Sequence, residues 1–137
     1  MSVSQLSVFV ENRAGHLADT LETLATGRVN VLSFTIADTA DYGILRLVVD
    51  LPEKAKKILE AGGYAVVDHP VVCALLPNEP GALARVARIV SESGLDIEYV
   101  YLGADDSLLL RTEETERLEK LLVDHGVRVS QPGGVTL

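Results

Sequence analysis

Two stretches of the chain join a glycine bend to what reads as a helix start, Glu11-Asn-Arg-Ala-Gly-His-Leu17 and Pro77-Asn-Glu-Pro-Gly-Ala-Leu83. Glycine permits a bend that a Cβ would oppose, and it lets a ligand approach the backbone closely. The first amides of a helix lack an internal acceptor and carry partial positive charge, so such a bend can hold a carboxylate or a phosphate. Asn12 and Asn78 either hydrogen-bond such a ligand or cap an ordinary glycine turn. His16, next to Gly15, stands close to where the anion would sit; the plainer reading is an exposed first-turn histidine. Tyr99 and Tyr101 share one face of a strand and form either an aromatic pocket wall or interface packing.

Groups for other chemistry are missing. No His-Glu-x-x-His, Gly-x-Ser-x-Gly or Gly-Lys-Ser/Thr phosphate loop occurs, and no Ser, His and Asp set reads as a triad. The three histidines are scattered, with no spacing that suggests a metal site. His69 reads as a linker residue and His125 as a helix end, while Arg46 lies within an apolar strand. The single cysteine, Cys73, sits in an apolar run and is expected to be a buried thiol. A net charge of −8 and the absence of Trp argue against a nucleic-acid partner. No apolar run is long enough for a membrane span, and no signal peptide is recognisable, so a cytoplasmic protein is expected. The expectation is a binding protein and not an enzyme, with no cofactor.

The two bends belong to an internal repeat. Asn12, Gly15 and Leu17 match Asn78, Gly81 and Leu83 at an offset of 66, which also carries Asn30-Val31 onto Asp96-Ile97. Farther on the offset is 63: Ile58-Leu59 match Leu121-Leu122, Gly63 matches Gly126, and Val66 matches Val129. The second copy therefore lacks three residues somewhere between its second strand and its second helix. Each copy reads as strand, helix, strand, strand, helix, strand. Leu6, Val8 and Val10 alternate with Ser7 and Phe9, a half-buried strand, and Val71–Leu76 is its more apolar counterpart. Leu17, Leu21 and Leu24, or Leu83, Val86, Ala87 and Val90, form a helical stripe that stops near Gly27 or Gly94. Val31–Ala37 and Ile97–Leu102 are second strands, and Ile44–Val49 and Leu108–Arg111 are third strands. The second helices carry Ala55, Ile58 and Leu59, opened by Pro52, and Leu118, Leu121 and Leu122.

This order predicts an α+β fold of two ferredoxin-like βαββαβ units in tandem, residues 1–69 and 70–137. Each is an antiparallel sheet with both helices on one face. Val67–Val71 is expected to be the short connector. The other sheet face would be bare in an isolated copy, which predicts cover from the sister copy or a second chain, and so a homodimer.

The sequence Asn78-Glu-Pro-Gly-Ala-Leu83, followed by Gly94-Leu-Asp-Ile97, resembles the ACT domain, and the resemblance extends over nearly the whole chain. The first copy departs from the motif, with Ala14 for the proline and Arg28-Val-Asn-Val31 for the glycine-containing turn. Gln5-Leu-Ser-Val8, Asp41-Tyr-Gly-Ile-Leu-Arg46 and Ile97-Glu-Tyr99 resemble the small stand-alone tandem ACT proteins. The resemblance implies a non-catalytic regulatory protein that binds a small effector, usually an amino acid, at an interface between ACT units. It implies a ligand carboxylate held by Asn12, Arg13, Ala14, Gly15, His16 and Leu17, or by Asn78, Pro80, Gly81, Ala82 and Leu83. The opposite wall would be Ile36, Ala37 and Asp38, or Tyr99 and Tyr101, with Asp38 or Asp41 meeting the ammonium group or serving as plain turn acids. The alternative is an interaction module: a regulatory subunit of a separate amino-acid metabolic enzyme, without a ligand of its own.

Overall fold

Alternation of apolar and polar residues at the N-terminus produces strand β1 (Val3–Glu11), whose Leu6, Val8 and Val10 are buried in a core. The structure is a computed structural model that describes residues 3–11, 15–38 and 42–130. Helix α1 (His16–Thr26) follows, then the antiparallel strands β2 (Val31–Asp38) and β3 (Tyr42–Val49), helix α2 (Pro52–Ala61) and strand β4 (Ala65–Leu75). Pro52 stands in the first turn of α2, where the N–H it lacks would have had no partner. The second copy repeats the order with α3 (Ala82–Ser93), β5 (Tyr99–Leu102), β6 (Ser107–Arg111), α4 (Thr115–Asp124) and β7 (Arg128–Val129).

The chain divides into two compact units, Ser4–His69 and Met1–Val3 with Pro70–Leu137. In the first the strand order is β2-β3-β1-β4; in the second it is β5-β6-β4-β7. The expected short connector at Val67–Val71 is continuous strand: it lies inside β4, and His69 with it. Pro70 is tolerated there because its fixed φ fits extended chain and it is exposed, so only a donor is lost.

Register shows how closely the copies match. Leu6 opposes Leu47 as Val72 opposes Leu110, and Ser7 opposes Arg46 as Cys73 opposes Leu109. Thr35 opposes Arg46 as Tyr101 opposes Leu109. All these pairs preserve the offset of 66 before the hairpin and 63 after it, which places the three missing residues at the tip of the β5–β6 hairpin. That tip turns tightly through Asp105 (φ 52°) and Asp106 (φ 61°), closed by Ser107 N–H donating to Ala104 O at 3.2 Å. Two successive positive φ angles are the geometry that suits the twist of a short hairpin.

Each unit has its own core between sheet and helices. Leu6, Val8, Leu24, Leu45, Leu47 and Leu59 are central in the first, and Val72, Val86, Leu108, Leu110, Leu118 and Leu122 in the second. The α1 stripe is rotated from the sequence expectation: Thr20 and Leu24 are buried, while Leu17 and Leu21 are only partly so. Thr20 tolerates burial because its hydroxyl donates to His16 O at 2.8 Å. On α3 the buried set is Val86, Ile89 and Val90, and Leu83 is half exposed. Gly94 ends α3 at φ 74°, and its counterpart Arg28 adopts φ 61° without glycine's freedom. Cys73 is fully buried, as expected, and desolvation pushes its thiol up to about 12.

Candidate functional site

Glu79-Pro80-Gly81-Ala82 forms the bend before α3. Ala82 N–H donates to Glu79 O at 3.3 Å, and Gly81 takes φ 90° and ψ −15°. That is the third-position geometry of a type II turn, with proline at the second position where its ring presets φ. An added Cβ on Gly81 would meet nothing within 4 Å, so the glycine is required by the dihedral and not by crowding. Among the described residues no side chain caps α3. The asparagine-capped reading is thereby corrected for Asn78, whose side chain leaves the first-turn amides uncapped. The hairpin tip reaches this bend through Leu76 N–H, which donates to Asp106 O at 2.9 Å.

Between bend and hairpin lies a cavity of about 340 Å³. Asn78, Glu79, Ala82 and Leu83 line it from the bend, and Leu102, Gly103 and Asp106 from the hairpin. Three kinds of surface meet here: the uncapped start of a helix, the acidic residues Glu79 and Asp106, and the aliphatic side chains of Leu76, Leu83 and Leu102. A ligand carrying a carboxylate, an ammonium group and an apolar part finds a matching surface for each.

The remaining sequence-derived residues are distributed as follows. Gly81 and Pro80 shape the bend, while Asn78, Ala82 and Leu83 line the cavity itself. Tyr99 and Tyr101 stack on one another with ring centroids 6.4 Å apart, and the wall contributed beside the cavity is Leu102 with Gly103. In the first copy Asn12, Arg13, Ala14 and Asp41 lie outside the described residues. Gly15 repeats the bend geometry at φ 84°. His16 is not a free first-turn histidine: Glu11 N–H donates to its Nδ1 at 2.6 Å, and its ring stacks on Tyr64 at 5.6 Å. The same Nδ1 lies 3.2 Å from Glu11 O. Ile36 is exposed on β2, Ala37 is half-buried beside it, and Asp38 ends the strand.

Sequence reading missed Leu102, Gly103 and Asp106. The signal for Asp106 was present in the shortened second hairpin, whose tip had to turn near Asp105-Asp106 and return beside the bend. Among the described residues no group of His, Cys, Asp and Glu is placed to hold a metal ion, and no helix is long and apolar enough to cross a membrane.

Two βαββαβ units, each opening a helix with a glycine at positive φ, define a tandem of small ferredoxin-like modules. A family model described as an ACT domain pair matches residues 1–130, and the chain belongs to that family. A crystal structure of a Bacteroides thetaiotaomicron protein is similar at 36% identity, with a TM-score of 0.89, covering 96% of this chain and 94% of that one. The regulatory subunit of aspartate kinase from Thermus thermophilus, in ligand-free form, shares the fold at 16% identity and a TM-score of 0.70, covering 90% and 93%. The corresponding subunit from Thermus flavus matches at 16% identity and 0.66, covering 90% and 92%. Comparison with curated proteins finds no match.

Proposed function

We propose that this ACT pair is a non-catalytic regulatory protein of the cytoplasm that binds an L-amino acid in the cavity beside Gly81. A second copy of the chain, in a homodimer, closes the site. The observation that carries this reading is the meeting of an uncapped helix start with Glu79 and Asp106 around one cavity of about 340 Å³. A simple anion such as phosphate would gain from the helix start but be opposed by two carboxylates. A zwitterion satisfies both, its carboxylate at the α3 amides and its ammonium group toward the acids. Leu76, Leu83 and Leu102 favour an aliphatic side chain on the ligand.

A second reading rests on the fold shared with the regulatory subunits of aspartate kinase. Here the chain acts as the detached regulatory partner of a separate amino-acid metabolic enzyme, without an effector of its own. Calorimetric titration and thermal melts with each of the twenty amino acids at millimolar concentration separate the two. Ligand bound only to the native state at a hundred times its Kd raises stability by about 2.7 kcal/mol. A melt unmoved by all twenty removes the effector reading and leaves the subunit reading, which a stoichiometric enzyme partner in a pull-down would support.

A further inference from the structure

Where the first helix of a unit meets the end of its second, the two copies match bond for bond. Asp19 N–H donates to Gly15 O at 2.9 Å, as Arg85 N–H does to Gly81 O at 2.9 Å. After α2, Gly63 N–H donates to Glu60 O and Tyr64 N–H to Leu59 O, both at 3.0 Å. After α4, Gly126 N–H donates to Val123 O at 3.0 Å and Val127 N–H to Leu122 O at 2.9 Å. Gly63 and Gly126 take φ 90° and 78°. The backbone is therefore the same, with Asp19 in the place of Arg85, Gly62 in that of His125 and Tyr64 in that of Val127.

The side chains differ. In the second unit Arg85 reaches across from α3, and its guanidinium Nη2 donates to His125 O, the carbonyl at the C-cap of α4. The last turn of α4 holds no basic residue, so this arginine supplies the positive charge that a helix end favours. The last turn of α2 holds none either, and the residue equivalent to Arg85 is the acid Asp19. Between Asp19 and the end of α2 lies a cavity of about 330 Å³, whose lining includes Glu11, His16, Asp19, Gly62, Gly63 and Tyr64. The rings of His16 and Tyr64, stacked 5.6 Å apart, stand where the second copy has Ala82 and Val127.

We propose that this cavity is a further binding site, for a guanidinium group brought by another molecule. The second copy displays the occupant, an arginine head held against the last carbonyl of a helix. In the first copy that carbonyl position, at Gly62, is joined by the Asp19 carboxylate, which can accept two parallel N–H bonds from a guanidinium. The stacked rings of His16 and Tyr64 add a surface on which a planar cation lies well, and a compact ammonium ion gains less from it. Among the described residues no group of His, Cys, Asp and Glu is placed for a metal ion. The net charge of −8 draws cations to the chain. The lining takes nothing from β2 or β3, so the site faces the end of α2, whereas the cavity beside Gly81 faces its hairpin. It lies within the first unit and is independent of the effector reading. The guanidinium comes either from a small free compound or from an arginine side chain of a partner protein.

The full chain tests it by amide NMR during titration with methylguanidinium, which has no carboxylate to engage the bend at Gly81. Saturable shifts are expected at Asp19, Gly62, Gly63 and Tyr64 and not at Gly81, with methylammonium binding several-fold more weakly. Asp19→Asn, which keeps the shape and removes the charge, should raise the Kd about tenfold. Asp19→Arg should set the protein's own guanidinium where Arg85 has it, so that the shifts are lost and Tm rises by roughly 2–4 °C. A titration that does not saturate, or an affinity unchanged in Asp19→Asn, overturns the site. An Asp19→Arg chain that melts below the parent and still binds methylguanidinium does the same. Arginine acetylated and amidated at its ends carries the same head on a peptide backbone. Binding as tight as methylguanidinium's assigns the site to an arginine of a partner protein; binding of the small ion alone assigns it to a free guanidine compound.

Discussion

Replacing Gly81 with alanine isolates the backbone requirement of the bend. At φ 90° and ψ −15° an L-residue pays for the approach of its own Cβ to the neighbouring carbonyl, roughly 1–2 kcal/mol. Part of that is offset because alanine restricts the unfolded chain more than glycine does, by about 0.4–1 kcal/mol. The new methyl group meets nothing within 4 Å, so no steric cost is added. The net expectation is a loss of about 1 kcal/mol, a fall in Tm of roughly 3–6 °C for a chain of this size. Gly81→Asn should lose about half as much, since asparagine enters positive φ more readily. Chemical denaturation with urea, following the far-ultraviolet circular dichroism of all three proteins, measures the differences at constant m-value. Equal losses for Ala and Asn, or no loss at all, would refute the dihedral argument; a loss above about 3 kcal/mol would mean that something fills the space above Gly81.

Three further outcomes follow from the same geometry. Arg28→Gly should stabilise the first unit by about 0.5–1 kcal/mol, since Arg28 occupies φ 61° where the equivalent Gly94 is at ease; a neutral or negative change would show that the Arg28 side chain contributes more than its backbone costs. Leu118→Ala should cost about 2–5 kcal/mol because the side chain is fully buried, whereas Leu83→Ala, half exposed on its helix, should cost under about 1 kcal/mol while weakening effector binding; equal losses in urea would contradict the core assignment. Burial moves the Cys73 thiol from 9.0 to about 12, so the unfolded chain releases this proton first and the stability it supports, complete below pH 9, is lost as pH rises toward 12. Cys73→Ala should show a flatter decline over that range, and rapid labelling of the native parent by a thiol reagent at pH 8 would sink the argument.

Much of the fold was legible because the signals are local. Alternation in Leu6–Val10, helical spacing in Leu118–Leu122 and Pro52 at a helix start each depend on neighbours within a few residues, and the repeat doubled every one of them. The glycines at the two bends, with Gly63 and Gly126 after the second helices, mark positions where the backbone itself needs positive φ. Where local pattern fell short, a distant partner was responsible. Leu17 and Leu21 share the α1 stripe with Leu24, yet packing of the helix on its sheet buries Thr20 with Leu24 and leaves Leu17 and Leu21 only partly covered.

The candidate site was half legible. Sequence alone determined the bend at Asn78–Leu83, since proline presets φ at the second position of a turn and glycine admits positive φ at the third. It also determined that the chain is a tandem of βαββαβ units. Only the tertiary structure decided that Leu102, Gly103 and Asp106 face that bend, and that His16 is held by Glu11 and Tyr64 rather than left free. These meetings depend on strand register and hairpin length, which couple residues far apart in the chain through backbone pairing, and a pattern read over neighbours has no access to that coupling.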